Sequence, residues 1–258
     1  MKCLILAAGY ATRLYPLTEN FPKPLLPVGE KTILDWLIDD IDTAGLVDEY
    51  VVISNHKYAQ HFRDWAEKHG HAEKDGRSGN HSHRKLTILD DGTVSNETRL
   101  GAVRDMQFAV ESLNLHDDLL VIAGDNVLDF SLTSFLRYAS EKKTSCTMRY
   151  FEPDEAKLKK CGVAEIGEDE LLLSLEEKPA EPKSSWCTPP FYFYTAADAA
   201  KIPEAVADGC GVDAPGSLVA WMCRKSPMHS MVMPGRRYDI GNLESYNAVH
   251  ESYRGILS

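Results

Sequence analysis

The sequence predicts an α/β protein with a mostly parallel sheet covered by helices. Three observations carry this. Short continuous apolar runs, residues 4–8 and 119–123 among them, alternate with segments of helical periodicity. Runs of that kind suit strands buried on both faces. The chain has 258 residues and is 43% hydrophobic, enough for one large α/β domain with a real core. And the first apolar run empties into a small-residue turn, at the strand end where ligands of open α/β sheets gather.

Residues 4–8 are the first strand. Residues 32–44 form a helix, with Ile33, Leu34, Leu37, Ile38 and Ile41 at helical spacing. A strand over 49–54, a helix over 58–68 and a short strand over 85–89 follow. Residues 101–113 read as a helix carrying Val103, Met106, Phe108 and Val110, and 119–123 as a central strand. The second half is more mixed. Strands are expected over 146–151, 163–166, 171–175 and 191–194, and helices over 196–208, 216–224 and 243–253. No internal repeat and no convincing linker divides the chain, so a single domain over 1–258 is expected.

Residues 69–84 stand apart, poor in apolar residues and rich in Gly, His, Ser and Asp. His69 with His71 and His81 with His83 are spaced to bind a transition metal. A solvated loop is the preferred reading, because no Cys, Asp or Glu framework fixes a geometry.

Net charge is 28 − 39 = −11, a poor basis for nucleic-acid binding. An anion site on such a chain must be made cationic locally. Met1-Lys2-Cys3 leads straight into the first strand, without a signal peptide, and no apolar run spans a membrane. Cys3, Cys146, Cys161, Cys187, Cys210 and Cys223 are scattered without a C-x-x-C pair, and read as buried or free thiols in a reducing cytoplasm.

The most informative segment is Leu4-Ile-Leu-Ala7-Ala8-Gly9-Tyr-Ala11-Thr12-Arg13-Leu-Tyr-Pro, followed by Lys23 between Pro22 and Pro24. Backbone N–H groups in this small-residue turn can approach phosphates closely, and Arg13 and Lys23 offset their charge. A Walker-type loop and a dinucleotide fingerprint are both absent. The segment resembles the signature L-A-x-G-x-G-T-R-L-x-P-L-T…P-K-P of the sugar-nucleotide pyrophosphorylases. Ala11 stands at the second glycine of that signature. Alanine disfavours positive φ, so the turn is expected to hold Ala11 at negative φ or to alter the phosphate approach slightly.

Three later segments extend the resemblance. Gly124-Asp125-Asn126 follows the central strand, where the family has a metal-holding Asp; by itself it reads equally as a turn or cap. Glu176-Glu177-Lys178-Pro179 resembles the family's E-K-P, whose Lys pairs with the sugar phosphate and whose Glu accepts sugar hydroxyls. Cys161-Gly162-Val163 resembles the aromatic-Gly-Val segment upstream, with Cys161 in place of the usual Tyr. Tyr238-Asp239-Ile240-Gly241 resembles W-x-D-x-G, which implies Asp239 as a second metal carboxylate. Asn96, five residues before Gly101, matches a base-reading Gln, although a turn asparagine explains it as well.

The resemblance implies a three-layer α/β/α nucleotidyltransferase fold with a Rossmann-like, mixed, mostly parallel sheet. It is to the short form without a β-helix tail, like the glucose-1-phosphate thymidylyl- and uridylyltransferases. It implies a cytoplasmic enzyme that joins a nucleoside triphosphate, dTTP or UTP favoured, to a sugar 1-phosphate and releases pyrophosphate. The implied catalytic groups are Arg13, Lys23 and Lys178. The nucleotide would lie on Ala7, Ala8, Gly9, Thr12, Asn96 and Gly101, and the sugar phosphate on Gly162, Glu177 and Lys178. Asp125 and Asp239 would hold Mg²⁺. Two other readings stay open. One is cytidylyl transfer to phosphocholine or a related phosphate, with Trp186, Tyr192 and Tyr194 walling a cation cage. The other is a nucleotide-sugar-binding protein without catalysis.

Overall fold

The computed structural model describes residues 1–68, 85–238 and 240–256. The expected loop over 69–84, with its four histidines, and Asp239 lie outside them. The chain divides into two compact units that interleave in sequence. The first takes the N-terminal part through Arg99, then Ala123–Leu132, then the chain from Gly235 onward. The second takes Leu100–Ile122 and Thr133–Pro234.

In the first unit, strands Lys2–Leu6, Glu49–Ser54 and Lys85–Asp90 run parallel, with Glu49–Ser54 in the middle. Cys3, Leu4, Ile5 and Val51, Val52, Ile53 are fully buried, as runs without polar alternation require. Helix Ile33–Ala44 starts on a capping box between Thr32 and Asp35 and buries Ile33, Leu34, Leu37, Ile38 and Ile41. Helix Leu243–Ser252 starts on Asn242 and ties back to the N-terminal segment through Tyr246, whose hydroxyl donates to the Pro27 carbonyl at 2.9 Å.

In the second unit the strands are largely antiparallel. Gly162–Ile166 lies between Leu172–Glu177 and Trp186–Thr188, and Trp186–Thr188 pairs in turn with Ser145–Phe151. Phe191–Tyr194 lies between Ser145–Phe151 and Leu119–Ala123. Met228–Val232 adds a parallel partner to Ser145–Phe151. The sheet strands are thus mixed, with the parallel character concentrated in the first unit.

Several boundaries differ from expectation. Helix Thr133–Lys142 and strands Trp186–Thr188 and Met228–Val232 were not expected. The helix expected over 196–208 is two, Ala196–Ala199 and Ile202–Ala207, because Pro203 fits only the first turn of a new helix. Cys161 and Cys187 form a disulfide, which corrects their reading as thiols. Their 26-residue separation conceals that the antiparallel register sets Cys187 opposite Val163, two residues from Cys161. Cys3 and Cys146 are free and buried, and Cys210 and Cys223 free and half-buried. Among the described residues, no helix is long and apolar enough to cross a membrane.

Candidate active site

The first unit carries a hollow of about 190 Å³ lined by Ala7, Gly9, Ala11, Arg13, Lys23, Asp125 and Gly241, with Leu6, Leu14, Pro24 and Ile240 around them. Each part has a local cause. Ala7 and Ala8 are buried at the end of the first strand, where the Ala7 N–H donates to the Ile53 carbonyl at 2.9 Å. Asn55 Nδ2 donates to the Ala8 carbonyl at 2.9 Å. Gly9 is exposed. A short 3₁₀ turn, Thr12–Leu14, places Arg13 at the rim, while Thr12 is exposed beside it.

Ala11 corrects the first of the two alternatives for this turn, a negative φ. It sits at φ 44° and ψ 41°, in the left-handed region. Its carbonyl accepts from Thr18 Oγ1 at 2.8 Å and from the Leu14 N–H at 2.9 Å. Those bonds fix the peptide and hold an alanine where glycine is the easier residue.

Lys23 is only 8% exposed and sits in the 3₁₀ turn Lys23–Leu25, preceded by Pro22 in extended conformation. Its Nζ donates to Asp125 Oδ2 at 2.7 Å. Asp125 reaches this position because Gly124 lets two segments close together. A β-carbon there would lie 2.9 Å from Ile5 Cγ2 and 3.5 Å from Pro24 Cγ. The Asp125 side chain is 45% exposed, so it faces both the lysine and solvent. Burial pushes its carboxyl up, but the Lys23 charge, the Lys23 hydrogen bond and the Arg237 guanidinium outweigh it, and the pKa falls below the ordinary aspartate value.

Arg237 is a member of this site that the motif reading passed over. It lies on strand Arg237–Tyr238, which pairs with Val127–Leu128, and its Nη1 donates to Asn126 Oδ1 at 3.3 Å. Its place two residues before Asp239, in an otherwise aromatic motif, was the available signal.

Among the described residues, no group of three or more His, Cys, Asp or Glu gathers to hold a metal. Asp125, half-exposed in a cationic hollow, fits a hard cation held mainly by phosphate oxygens and water with one or two carboxylates.

The second unit carries the Gly162, Glu177 and Lys178 cluster. A β-carbon on Gly162 would lie 2.8 Å from Thr188 Oγ1 and 3.1 Å from Glu177 Oε1. Thr188 Oγ1 donates to the Gly162 carbonyl at 3.3 Å. Glu177 also meets the first turn of helix Gly216–Met222, where a β-carbon on Gly216 would lie 1.9 Å from Glu177 Oε1. Burial drives its pKa above the ordinary glutamate value, against the opposing Lys178 charge and the Gly216 backbone. Lys178 is exposed at φ 50°, and its N–H donates to the Cys161 carbonyl at 3.0 Å. Gly216 carried no sequence signal.

Gly101, also in the second unit, sits at φ 91° as the cap of helix Ala102–Ser112. A β-carbon on it would lie 2.5 Å from the Val212 carbonyl oxygen. Asn96, in the first unit, has its Oδ1 engaged by Arg99 Nη1 at 3.2 Å. Tyr192 and Tyr194 are buried at 2% and 0% exposure, and the Arg149 guanidinium stacks 5.1 Å from the Trp186 ring centre. These three aromatics do not wall an open cation cage.

The parallel strands and the small-residue turn at the end of the first of them define an α/β protein with its hollow at a strand end. More particularly, the chain belongs to the nucleotidyl transferase family, whose model matches residues 2–255. It is 26% identical over 265 residues to a UTP–glucose-1-phosphate uridylyltransferase of Synechocystis sp., covering 100% of this chain and 64% of that protein. It is 32% identical over 212 residues to a glucose-1-phosphate thymidylyltransferase of Streptomyces griseus, covering 80% of this chain and 52% of that one. The chain thus spans between half and two thirds of the length of these curated relatives. In fold it is similar to a UDP-glucose pyrophosphorylase crystallised with UDP-glucose, with a TM-score of 0.77 at 18% identity over 98% of this chain and 97% of that one.

Proposed function

We propose that the protein transfers a nucleotidyl group from a nucleoside triphosphate, UTP or dTTP favoured, to a sugar 1-phosphate, releasing pyrophosphate. The observation that carries this is the Lys23–Asp125 pair in the hollow that also holds Arg13 and the small-residue turn. Family membership and the names of the two relatives support the same reading.

In this reading the sugar phosphate oxygen attacks the α-phosphorus in line, and pyrophosphate leaves. A phosphate is already anionic at neutral pH, so no side chain must remove a proton. The chain's task is to align two polyanions and offset their charge. Arg13 offsets charge on the leaving pyrophosphate, and Lys23 contacts the phosphates near the reacting centre. Lys178 holds the attacking phosphate as a compact point charge, and Glu177 accepts from sugar hydroxyls. Asp125, with Asp239, would hold Mg²⁺, which when bound neutralises phosphate charge as a Lewis acid.

The test is pyrophosphate release from CTP, UTP, dTTP, ATP and GTP, each offered a panel of sugar 1-phosphates and phosphocholine. Turnover of UTP or dTTP with a sugar 1-phosphate is expected. Turnover with phosphocholine alone overturns the sugar reading, and nucleotide-sugar binding without turnover overturns catalysis.

A further inference from the structure

Lys23 is a buried cation with one side-chain partner among the described residues, and that partner is the carboxylate proposed for the metal. A lysine side chain at 10% exposure that loses its counter-ion is left largely desolvated and unpaired, which is strongly unfavourable. A divalent cation on Asp125 would also sit beside that ammonium and be repelled by it. Arg237, bonded to the neighbouring Asn126, adds a second positive charge nearby. Metal binding alone therefore meets a double penalty. A triphosphate removes it by offering Lys23 a new anionic partner while its oxygens help to hold the metal.

We infer that the Lys23–Asp125 ion pair is an exchange latch: Lys23 guards Asp125 until a nucleoside triphosphate takes the lysine, so that divalent cation and nucleotide bind as one coupled event. The inference rests on the proposed function and deepens it. By linkage the coupling is reciprocal, so the cation strengthens nucleotide binding by the same factor. Lys23 acts on the metal through Asp125, as a positioning and gating residue. Its fixed geometry between two prolines limits its retreat, because proline on either side restricts the backbone.

Mn²⁺ is the probe, with binding read from its electron paramagnetic resonance signal on the full chain. An Asp125→Asn variant defines the signal from the rest of the acidic surface. Without nucleotide, wild-type protein is expected to bind Mn²⁺ at Asp125 at least tenfold more weakly than with a non-hydrolysable nucleoside triphosphate analogue, after allowing for the metal–nucleotide complex in solution. Lys23→Met, which keeps an apolar stem and removes the charge, is expected to tighten nucleotide-free Mn²⁺ binding at least tenfold. Lys23→Arg keeps the charge and is expected to leave it weak. Equal nucleotide-free affinity in wild type and Lys23→Met overturns the latch. If Lys23→Met does not fold, by circular dichroism, the wild-type comparison decides alone: tight nucleotide-free binding that Asp125→Asn abolishes overturns it. Failure of the triphosphate analogue to bind, measured separately by calorimetry, overturns the proposed function, while the nucleotide-free comparison of Lys23 variants still judges the latch.

Discussion

The Glu177 carboxylate and the α-carbon of Gly216 are fitted so closely that a β-carbon on Gly216 would overlap Glu177 Oε1. The glycine supplies the space that the carboxylate occupies. Gly216→Ala is therefore expected to displace Glu177 without removing it. Displacing a substrate-positioning group by about 1 Å costs up to roughly 100-fold. Steady-state kinetics should show a raised KM for the sugar phosphate, with the KM for nucleotide little changed. Equal loss for both substrates would separate Glu177 from the sugar.

Glu177 also sets a pH dependence. Its folded pKa is raised, mainly by burial, above its ordinary value of 4.5. The carboxylate is thus lost as pH falls through a value higher than an exposed glutamate would show. Sugar-phosphate KM is expected to rise in that acid window. Glu177→Gln, which does not titrate, should lack this component and so subtract the substrate phosphate's own titration. For stability the sign is opposite: protonating a carboxyl of raised pKa favours the folded form, so Glu177 itself gives no acid-induced loss there.

Ala11 stores backbone strain in the signature turn. A left-handed L-residue costs about 1–2 kcal/mol, partly offset because glycine loses more chain entropy on folding. Ala11→Gly is expected to gain up to about 1 kcal/mol, or roughly 2–4 °C in Tm for a chain of this size. A fall in Tm would mean that the methyl group makes packing contacts worth more than the strain.

Gly101 has the reverse logic. At φ 91°, with the Val212 carbonyl oxygen 2.5 Å from a modest β-carbon, it has neither conformational nor spatial freedom for a side chain. Gly101→Ala is expected to destabilise by about 2 kcal/mol or more, read as a lower urea midpoint. No shift in midpoint would contradict the packing of the Val212 segment on this cap.

Asp125→Ala is expected to lower turnover by more than about 100-fold, the scale of losing a key electrostatic group. Full activity would refute the assignment of Asp125.

What was legible in the sequence was local. Ala7, Gly9, Arg13 and Lys23 lie in one continuous stretch, and the hollow gathers them with Asp125. The buried strands announced themselves as apolar runs. What was hidden depends on register between distant segments. Nothing near Cys161 indicates that antiparallel pairing brings Cys187 to it. Nothing near Glu177 announces Gly216, and the left-handed Ala11 is imposed by the bonds to its carbonyl, against the intrinsic preference of alanine. Helix Thr133–Lys142 escaped because its apolar positions are few, with Phe135, Leu136 and Ala139 alone buried.

The interleaving of the two units has a consequence for synthesis. Lys23, Asp125 and Arg237 come from the three separate stretches that make up the first unit, with one stretch of the second unit, Leu100–Ile122, between the first two and the other, Thr133–Pro234, between the last two. A ribosome releases the lysine well before the arginine. The first hundred residues must wait, with Lys23 still lacking its carboxylate, until the chain returns to Asp125, and wait again for the C-terminal stretch. The hollow is therefore a late product of folding, complete only once the chain has been made through at least Gly241.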